Sequence, residues 1–194
     1  MENVKKKPVY KICTAAVLVA LSTVLSLIKV VDMPLGGSIT LLSMLPVCMI
    51  SVMYGPLFAI LPCFLYGAIQ LFLGNPFGWG LSPVMLFGCI MFDYILAYGS
   101  LFIAGIFRKK GALGVILGII LACALRFVMH FISGVVIFAN FEQFKLFGDT
   151  FVNRPVLYSV CYNGIYMLPE TILTAAASVP FVKSVAIKRF FLGE

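Results

Sequence analysis

Charged residues are scarce in this sequence. Asp, Glu, Lys and Arg make up 11% of its 194 residues, whereas 62% are hydrophobic and the mean hydropathy is +1.12. Soluble globular domains carry about 25% charged residues, so the composition excludes an ordinary soluble protein. Its long apolar runs predict an all-α polytopic membrane protein, and the length suits a single integral-membrane domain over residues 1–194.

Residues that carry chemistry are also few. There is one histidine, His130, and the six cysteines show no CxxC or metal-ligand spacing. The cysteines therefore predict small buried hydrophobic side chains and no metal site. No Walker motif is present, which excludes ATP hydrolysis by this chain. Since no nucleophile stands near an evident base, an intramembrane enzyme is the least favoured class of function.

The net charge of +7 does not indicate nucleic-acid binding, because the basic residues lie at the ends of apolar segments. Six transmembrane spans are predicted, at residues 9–31, 39–54, 57–73, 84–107, 112–138 and 155–186. This arrangement puts both termini on the cytoplasmic side of the cell membrane. The cytoplasmic basic residues are then Lys5, Lys6, Lys7, Lys11, Arg108, Lys109, Lys110, Lys183, Lys188 and Arg189, against Lys145 and Arg154 in outer loops.

Ionisable residues within predicted spans indicate a functional site, because a charge in hydrocarbon is expensive. Asp93, His130 and Asn163 lie at similar depths, roughly 12 to 13 Å from the outer ends of three spans at about 1.5 Å of rise per residue. Tyr158 lies higher, near the mouth. These residues predict a small-molecule pocket that opens to the outside and has a few polar groups among apolar walls.

Arg126 and Glu170 lie deeper, and we interpret them as a mutually neutralising structural pair, with direct ligand contact as the alternative. This pairing leaves Asp93 without an evident basic partner, so we expect a cationic ligand. The many aromatic residues favour a flat one. The alternative function is a stand-alone ion-coupled carrier of a small cationic or aromatic solute, with Asp93, His130 and Glu170 as a relay. The lack of a clear internal repeat weighs against it.

Two connections and two further motifs bear on the pocket. Residues 32–38, DMPLGGS, predict an outer loop that is either a lid or an ordinary connector. Trp79, in the loop 74–83, is either a headgroup anchor or a ligand-stacking residue. Gln70, near the outer end of the third span, is a further candidate ligand contact. Ala16 and Ala20 form a small-xxx-small pair that lets another helix approach closely.

Four segments in this order, MPLGGSITLL, FDYILAY, LRFVMHFISGVVIF and YSVCYNGIYMLP, resemble the thiamine-specific substrate-binding (S) component of energy-coupling factor (ECF) transporters. The resemblance touches five of the six predicted spans. It implies a six-helix S-component bundle that captures thiamine near the outer face. It also implies docking onto a transmembrane scaffold subunit that two cytoplasmic ATPases drive, with thiamine as a transported ligand and no cofactor.

The same resemblance implies roles for individual residues. Its thiamine-binding positions are Asp93, Tyr94, His130, Phe138, Tyr158 and Asn163. Some relatives have a stacking tryptophan at the position of Phe138 and a glutamate at that of Asp93. Ala16 and Ala20 match the pattern for docking onto the scaffold. The 74–83 connection is longer than in relatives, so Trp79 has no aligned counterpart.

Overall fold

The computed structural model describes residues 8–33, 36–138, 145–146, 149–150 and 154–183. Within these residues the chain forms six helices: α1 (Pro8–Leu27), α2 (Met44–Tyr54), α3 (Pro56–Gly74), α4 (Pro83–Gly105), α5 (Arg108–Phe138) and α6 (Pro155–Lys183). All except α2 are long and apolar enough to cross a membrane. The all-α fold predicted from the sequence is confirmed, with α2 as a shorter apolar helix.

Some predicted features lie outside the described residues. They are the basic residues Lys5, Lys6, Lys7, Lys188 and Arg189, the last three residues of the predicted span 155–186, and the side chain of Lys145. In the connection between α5 and α6 the structure gives two short strands, β3 (Lys145–Leu146) and β4 (Asp149–Thr150), paired antiparallel.

The first span is shorter than the sequence predicts. Helix α1 ends at Leu27, and the following residues form a hairpin of β1 (Lys29–Asp32) and β2 (Ser38–Thr40), with Lys29 opposite Thr40 and Asp32 opposite Ser38. The β-branched pair Val30 and Val31 fits a strand better than a helix end. The predicted loop at residues 32–38 therefore includes the last residue of β1, Asp32, and the first residue of β2, Ser38.

Helix α2 occupies the middle of the bundle. Every residue from Met44 to Met53 is buried, which is the pattern of a helix surrounded by other helices. The second predicted span begins at residue 39, but the helix begins at Met44. Pro46 therefore lies in the first turn, where its missing N–H group breaks no helical hydrogen bond.

Two of the long helices contain wide π-helical turns that the sequence does not predict. In α4 the π-helical part is Ile90–Leu96, between an α-helical start at Pro83–Cys89 and a tight 3₁₀ end at Ser100–Gly105. In α5 the α-helical part Gly111–Ser133 continues as the π-helical turns Gly134–Phe138. Such turns are rare and often occur at functional sites, because they rotate the side chains that follow them.

Glycines bring α4, α5 and α2 into backbone contact at the end opposite the hairpin. A Cβ atom on Gly118 of α5 would lie 2.1 Å from the carbonyl oxygen of Ala104 in α4. The backbone N–H of Gly105 donates to Ser51 Oγ of α2 at 2.9 Å. Arg108 donates to the carbonyl of Met53 at 3.2 Å, which places a cation at the negative end of α2.

The Gly118 contact generates a stability prediction. Gly118→Ala would force α4 and α5 apart, and we expect a loss of about 1 to 3 kcal/mol, the usual cost of overpacking. Gly164→Ala is the matched control, because a Cβ atom there meets nothing within 4 Å. Thermal unfolding in detergent micelles measures both. Equal melting temperatures for the two variants would contradict the close helix contact.

Candidate functional site

A cavity lies between α4, α5, α6 and the β1–β2 hairpin. Counted together with the open space at its mouth, it has a volume of about 610 Å³. Its walls combine charged, polar and aromatic side chains with backbone from the hairpin. The lining residues are Gly36, Gly37, Ser38, Trp79, Asp93, Tyr94, Tyr98, Arg126, His130, Gly134, Phe138, Tyr158, Tyr162, Asn163 and Tyr166.

Asp93 presents a carboxylate to the cavity from the π-helical part of α4. Its Oδ1 lies 2.8 Å from His130 Nδ1, and its Oδ2 accepts a hydrogen bond from Ser133 Oγ at 2.5 Å. Its side chain is 15% exposed. The sequence indicates no basic partner for Asp93, and in the structure His130 and Ser133, three residues apart on α5, contact both of its oxygens. The carboxylate is thereby fixed in one orientation.

Arg126 and Glu170 form a buried ion pair that joins α5 to α6. Arg126 Nη1 lies 3.3 Å from Glu170 Oε2, and both side chains are almost fully buried. The Arg126 guanidinium also stacks over the Tyr98 ring, 4.4 Å from its centroid. Arg126 lines the cavity whereas Glu170 does not. The sequence leaves two alternatives for Arg126, an ion pair with Glu170 or contact with a ligand. They are compatible, because Arg126 is paired with Glu170 and also lines the cavity.

Two buried nitrogen atoms in the cavity wall have no hydrogen-bond partner among the described residues. They are His130 Nε2 and Arg126 Nε. Buried polar atoms are nearly always hydrogen-bonded in native proteins, so each such atom needs an explanation. Both residues line the cavity, so these two buried nitrogen atoms lie close to it.

Asn163 holds α5 and α6 together beside the cavity. Its Nδ2 donates to the carbonyl of His130 at 3.2 Å and to the carbonyl of Ser159 at 3.0 Å. Its Oδ1 accepts from the Tyr166 hydroxyl at 2.9 Å. The amide thus has protein partners on both sides, and these bonds fix the shape of the cavity wall.

Aromatic rings form the remaining walls. Tyr158 and Tyr162 stack with their ring centroids 5.7 Å apart and an interplanar angle of 20°. On the other side Trp79 and Phe138 meet edge to face at 6.0 Å. Flat rings with negatively polarised faces suit a flat cationic ligand.

The hairpin closes the mouth of the cavity through two glycines. The Gly37 N–H donates to the Tyr162 hydroxyl at 3.0 Å. Gly36 has a φ of +89°, and a Cβ atom there would lie 2.9 Å from the Trp79 ring. The backbone therefore passes between Trp79 and Tyr162 at a distance that larger residues do not permit.

Comparisons with known proteins identify the family of this chain. The family model described as thiamine transporter protein (Thia_YuaJ) matches residues 12–189, nearly the whole chain. The chain belongs to the Thia_YuaJ family. Among curated relatives, the thiamine transporter ThiT of Bacillus subtilis (strain 168) is 29% identical over 186 residues, which cover 88% of this chain and 89% of the relative.

A solved structure supports the fold of this Thia_YuaJ member. ThiT from Listeria monocytogenes superposes with a TM-score of 0.72, at 20% identity, over 92% of this chain and 96% of that chain. At this identity the match shows the shared all-α fold alone. The family and its curated relative are named as transporters, so the chain is a membrane transport protein and not an enzyme.

Most residues that the sequence proposes for the site of this Thia_YuaJ protein come together at the cavity. The lining includes Asp93, Tyr94, His130, Phe138, Tyr158 and Asn163. Trp79 is there as well, so the structure favours the cavity over the headgroup position. Gln70 is not: it is buried between α3 and α1, where its Nε2 donates to Ser26 Oγ at 2.8 Å. Depth along a span placed Gln70 near the mouth, but its side chain points to the opposite face of α3.

Sequence reasoning missed four side chains of the site: Ser133, Tyr98, Tyr162 and Tyr166. Ser133 follows His130 by three residues on α5. Tyr162 and Tyr166 follow Tyr158 at intervals of four residues on α6, so helical periodicity was the available signal. Tyr98 gave no such signal. Its place in the wall depends on the π-helical turns that precede it in α4.

The packing of Gly36 against Trp79 gives a spectroscopic prediction. Gly36→Ala would displace the ring of the chain's single tryptophan, so we expect a shifted emission maximum and stronger quenching by acrylamide. Gly111→Ala is the control, because Gly111 also has a positive φ but has open space around it. Alanine is strained by the positive φ at both positions, so only the contact with Trp79 differs between the two variants. An unchanged Trp79 spectrum in Gly36→Ala would contradict the contact.

Proposed function

We propose that this chain is the substrate-binding (S) subunit of an ECF-type uptake transporter, acting as a single membrane domain that captures thiamine from outside the cell. Membership of a thiamine transporter family supports the ligand. The observation that carries the proposal is the Asp93 carboxylate, which faces a cavity walled by aromatic rings. The outer loops close over thiamine, and the loaded subunit then delivers it through its partners.

The charges of the cavity wall suit a permanent cation. Glu170 neutralises Arg126, so the Asp93 carboxylate is the anionic group left to face a ligand. The thiazolium ring of thiamine carries its positive charge at every pH and needs no proton to satisfy Asp93. A charge that is compensated by its ligand is tolerable at membrane depth.

The polar and aromatic groups suit the rest of the molecule. The aminopyrimidine ring of thiamine offers hydrogen-bond donors and acceptors, and His130 Nε2 and Arg126 Nε are available to meet them. Both thiamine rings are flat, as the walls formed by Phe138, Trp79 and Tyr158 require. Tyr94 and Asn163 complete the proposed binding set.

The distribution of basic residues supports the orientation. Lys11, Arg108 and Lys183 lie at the helix ends away from the hairpin, and the cavity mouth lies at the hairpin end. Positively charged residues flank the cytoplasmic side of membrane helices. Both termini are therefore proposed to be cytoplasmic, in the cell membrane, with the cavity open to the outside.

The surface of α1 supports a docking role. Ala16 and Ala20 are exposed, whereas the preceding residues Ala15 and Val19 are buried in the core. Small residues let another helix come close in lipid, where packing rather than hydrophobicity drives association. Because the sequence has no Walker motif, the energy for uptake must come from the proposed scaffold subunit and its two ATPases.

Thiamine binding tests the ligand and the role of Asp93. Isothermal titration calorimetry should show tight binding of thiamine and none of riboflavin or biotin. Asp93→Asn keeps the shape but removes the charge, and should weaken binding by about 10- to 100-fold, as loss of a charged hydrogen bond does.

The matched control is Asp32→Asn, because Asp32 carries the same charge with a side chain that is 61% exposed. It should leave the affinity for thiamine unchanged. Arg126→Lys keeps the positive charge and should cost less than Asp93→Asn. Equal losses for Asp93→Asn and Arg126→Lys would refute the role given to Asp93.

Uptake tests the partner proposal. In proteoliposomes with a scaffold and ATPases, Ala16→Leu combined with Ala20→Leu should abolish ATP-driven thiamine uptake while thiamine binding persists, because the added side chains keep the helices apart. Ala176→Leu, at an exposed alanine of α6, is the control. Uptake by this chain alone, driven by a pH gradient, would instead favour the ion-coupled carrier.

A further inference from the structure

One buried carboxylate, that of Glu170, contacts both the cavity wall and the hairpin that covers the mouth. Its Oε2 faces Arg126 Nη1 at 3.3 Å. Its Oε1 accepts the backbone N–H of Thr40 at 3.0 Å and also the Thr40 hydroxyl. Glu170 and Thr40 are buried and lie outside the cavity lining, so neither is placed to contact a ligand.

Thr40 is the last residue of β2, two residues beyond Ser38, which lines the cavity. The Thr40 hydroxyl lies 2.6 Å from Ser43 Oγ. Since the single proton of Thr40 Oγ1 goes to the carboxylate, Ser43 is the donor in that contact. A continuous set of polar contacts therefore connects the start of α2, through Thr40 and Glu170, to Arg126.

The backbone next to Thr40 shows that this region is held under constraint. Leu42, between β2 and α2, has a φ of +60°, which is unfavourable for a residue with a large side chain. Such conformations persist only where surrounding contacts enforce them. A two-stranded hairpin is itself marginally stable, so it depends on contacts with the helices. Side-chain hydrogen bonds that hold this hairpin include those of Tyr162, at Gly37, and Glu170, at Thr40, besides the contact of Ser43 with Thr40.

We propose that Glu170 is a positioning residue that fastens the base of the β1–β2 hairpin through Thr40, and so sets how fast bound ligand escapes. The hairpin must move away from Tyr162 and Trp79 before a ligand can leave, and the bonds to Glu170 oppose that movement. Arg126, on the other oxygen, keeps the carboxylate in place. The inference rests on the proposed function for the identity of the ligand, but the position of the hairpin can be measured without a ligand.

Thr40→Val is the sharpest test, because valine has nearly the same shape and removes the hydroxyl without changing any charge near the cavity. We expect thiamine to dissociate about tenfold faster, the effect of losing a hydrogen bond to a charged group, with little change in the association rate. Thr40→Ser restores the hydroxyl and should restore slow dissociation. Stopped-flow displacement of radiolabelled or fluorescent thiamine measures the rates.

Thr171→Val is the matched control. The Thr171 hydroxyl donates to the Met167 carbonyl within α6 at 2.7 Å, one residue from Glu170 but without contact to the hairpin. The same loss of a hydroxyl should therefore leave the dissociation rate unchanged. Circular dichroism and melting temperatures of all three variants show whether each is folded.

Trp79, the single tryptophan, reports on the hairpin independently of ligand kinetics because it packs against Gly36. Acrylamide should quench Trp79 more strongly in Thr40→Val than in Thr40→Ser or Thr171→Val, with or without thiamine. If the wild-type protein binds no thiamine, the proposed function fails while this quenching still tests the fastening. Unchanged quenching and unchanged dissociation in Thr40→Val would overturn the inference, even if the melting temperature falls.

Discussion

A charged group within a membrane must find its compensation inside the protein, and the architecture of this chain follows from that constraint. Arg126 and Glu170 compensate each other between α5 and α6. Asp93 has an imidazole and a hydroxyl as partners, and a cavity on its open side. Within the described part of the chain, one buried carboxylate is therefore paired with a cation, whereas the other faces a cavity.

The two buried carboxylates illustrate how surroundings decide a role. Glu170 is held by Arg126 and Thr40 and is closed off from the cavity, so its charge serves the fold. Asp93 is set on a π-helical turn that brings it to the cavity wall, so its charge faces the cavity. Their chemistry is the same. The difference lies in whether a protein cation completes the pair or, as we propose for Asp93, a transported cation does.

The two ends of the bundle have different mechanical properties. Away from the hairpin, Gly105 and Gly118 let α2, α4 and α5 touch through their backbones, and Arg108 closes the end of α2. At the other end a short hairpin rests on a few hydrogen bonds and on Trp79. A rigid base with a lightly held cover is suited to capturing a small molecule from one side of the membrane.

By itself the sequence determined the apolar helices, the asymmetry of basic residues and the depth of Asp93, His130 and Asn163, because hydrophobic length and rise per residue are local properties. It did not determine direction around each helix axis. The tertiary structure alone turned Gln70 away from the cavity and brought Tyr98 into it, through π-helical turns that no local pattern announces. It also replaced the predicted helix end at residues 29–31 with a strand, since a two-stranded hairpin is marginal alone and depends on its contacts with the helices of the folded chain.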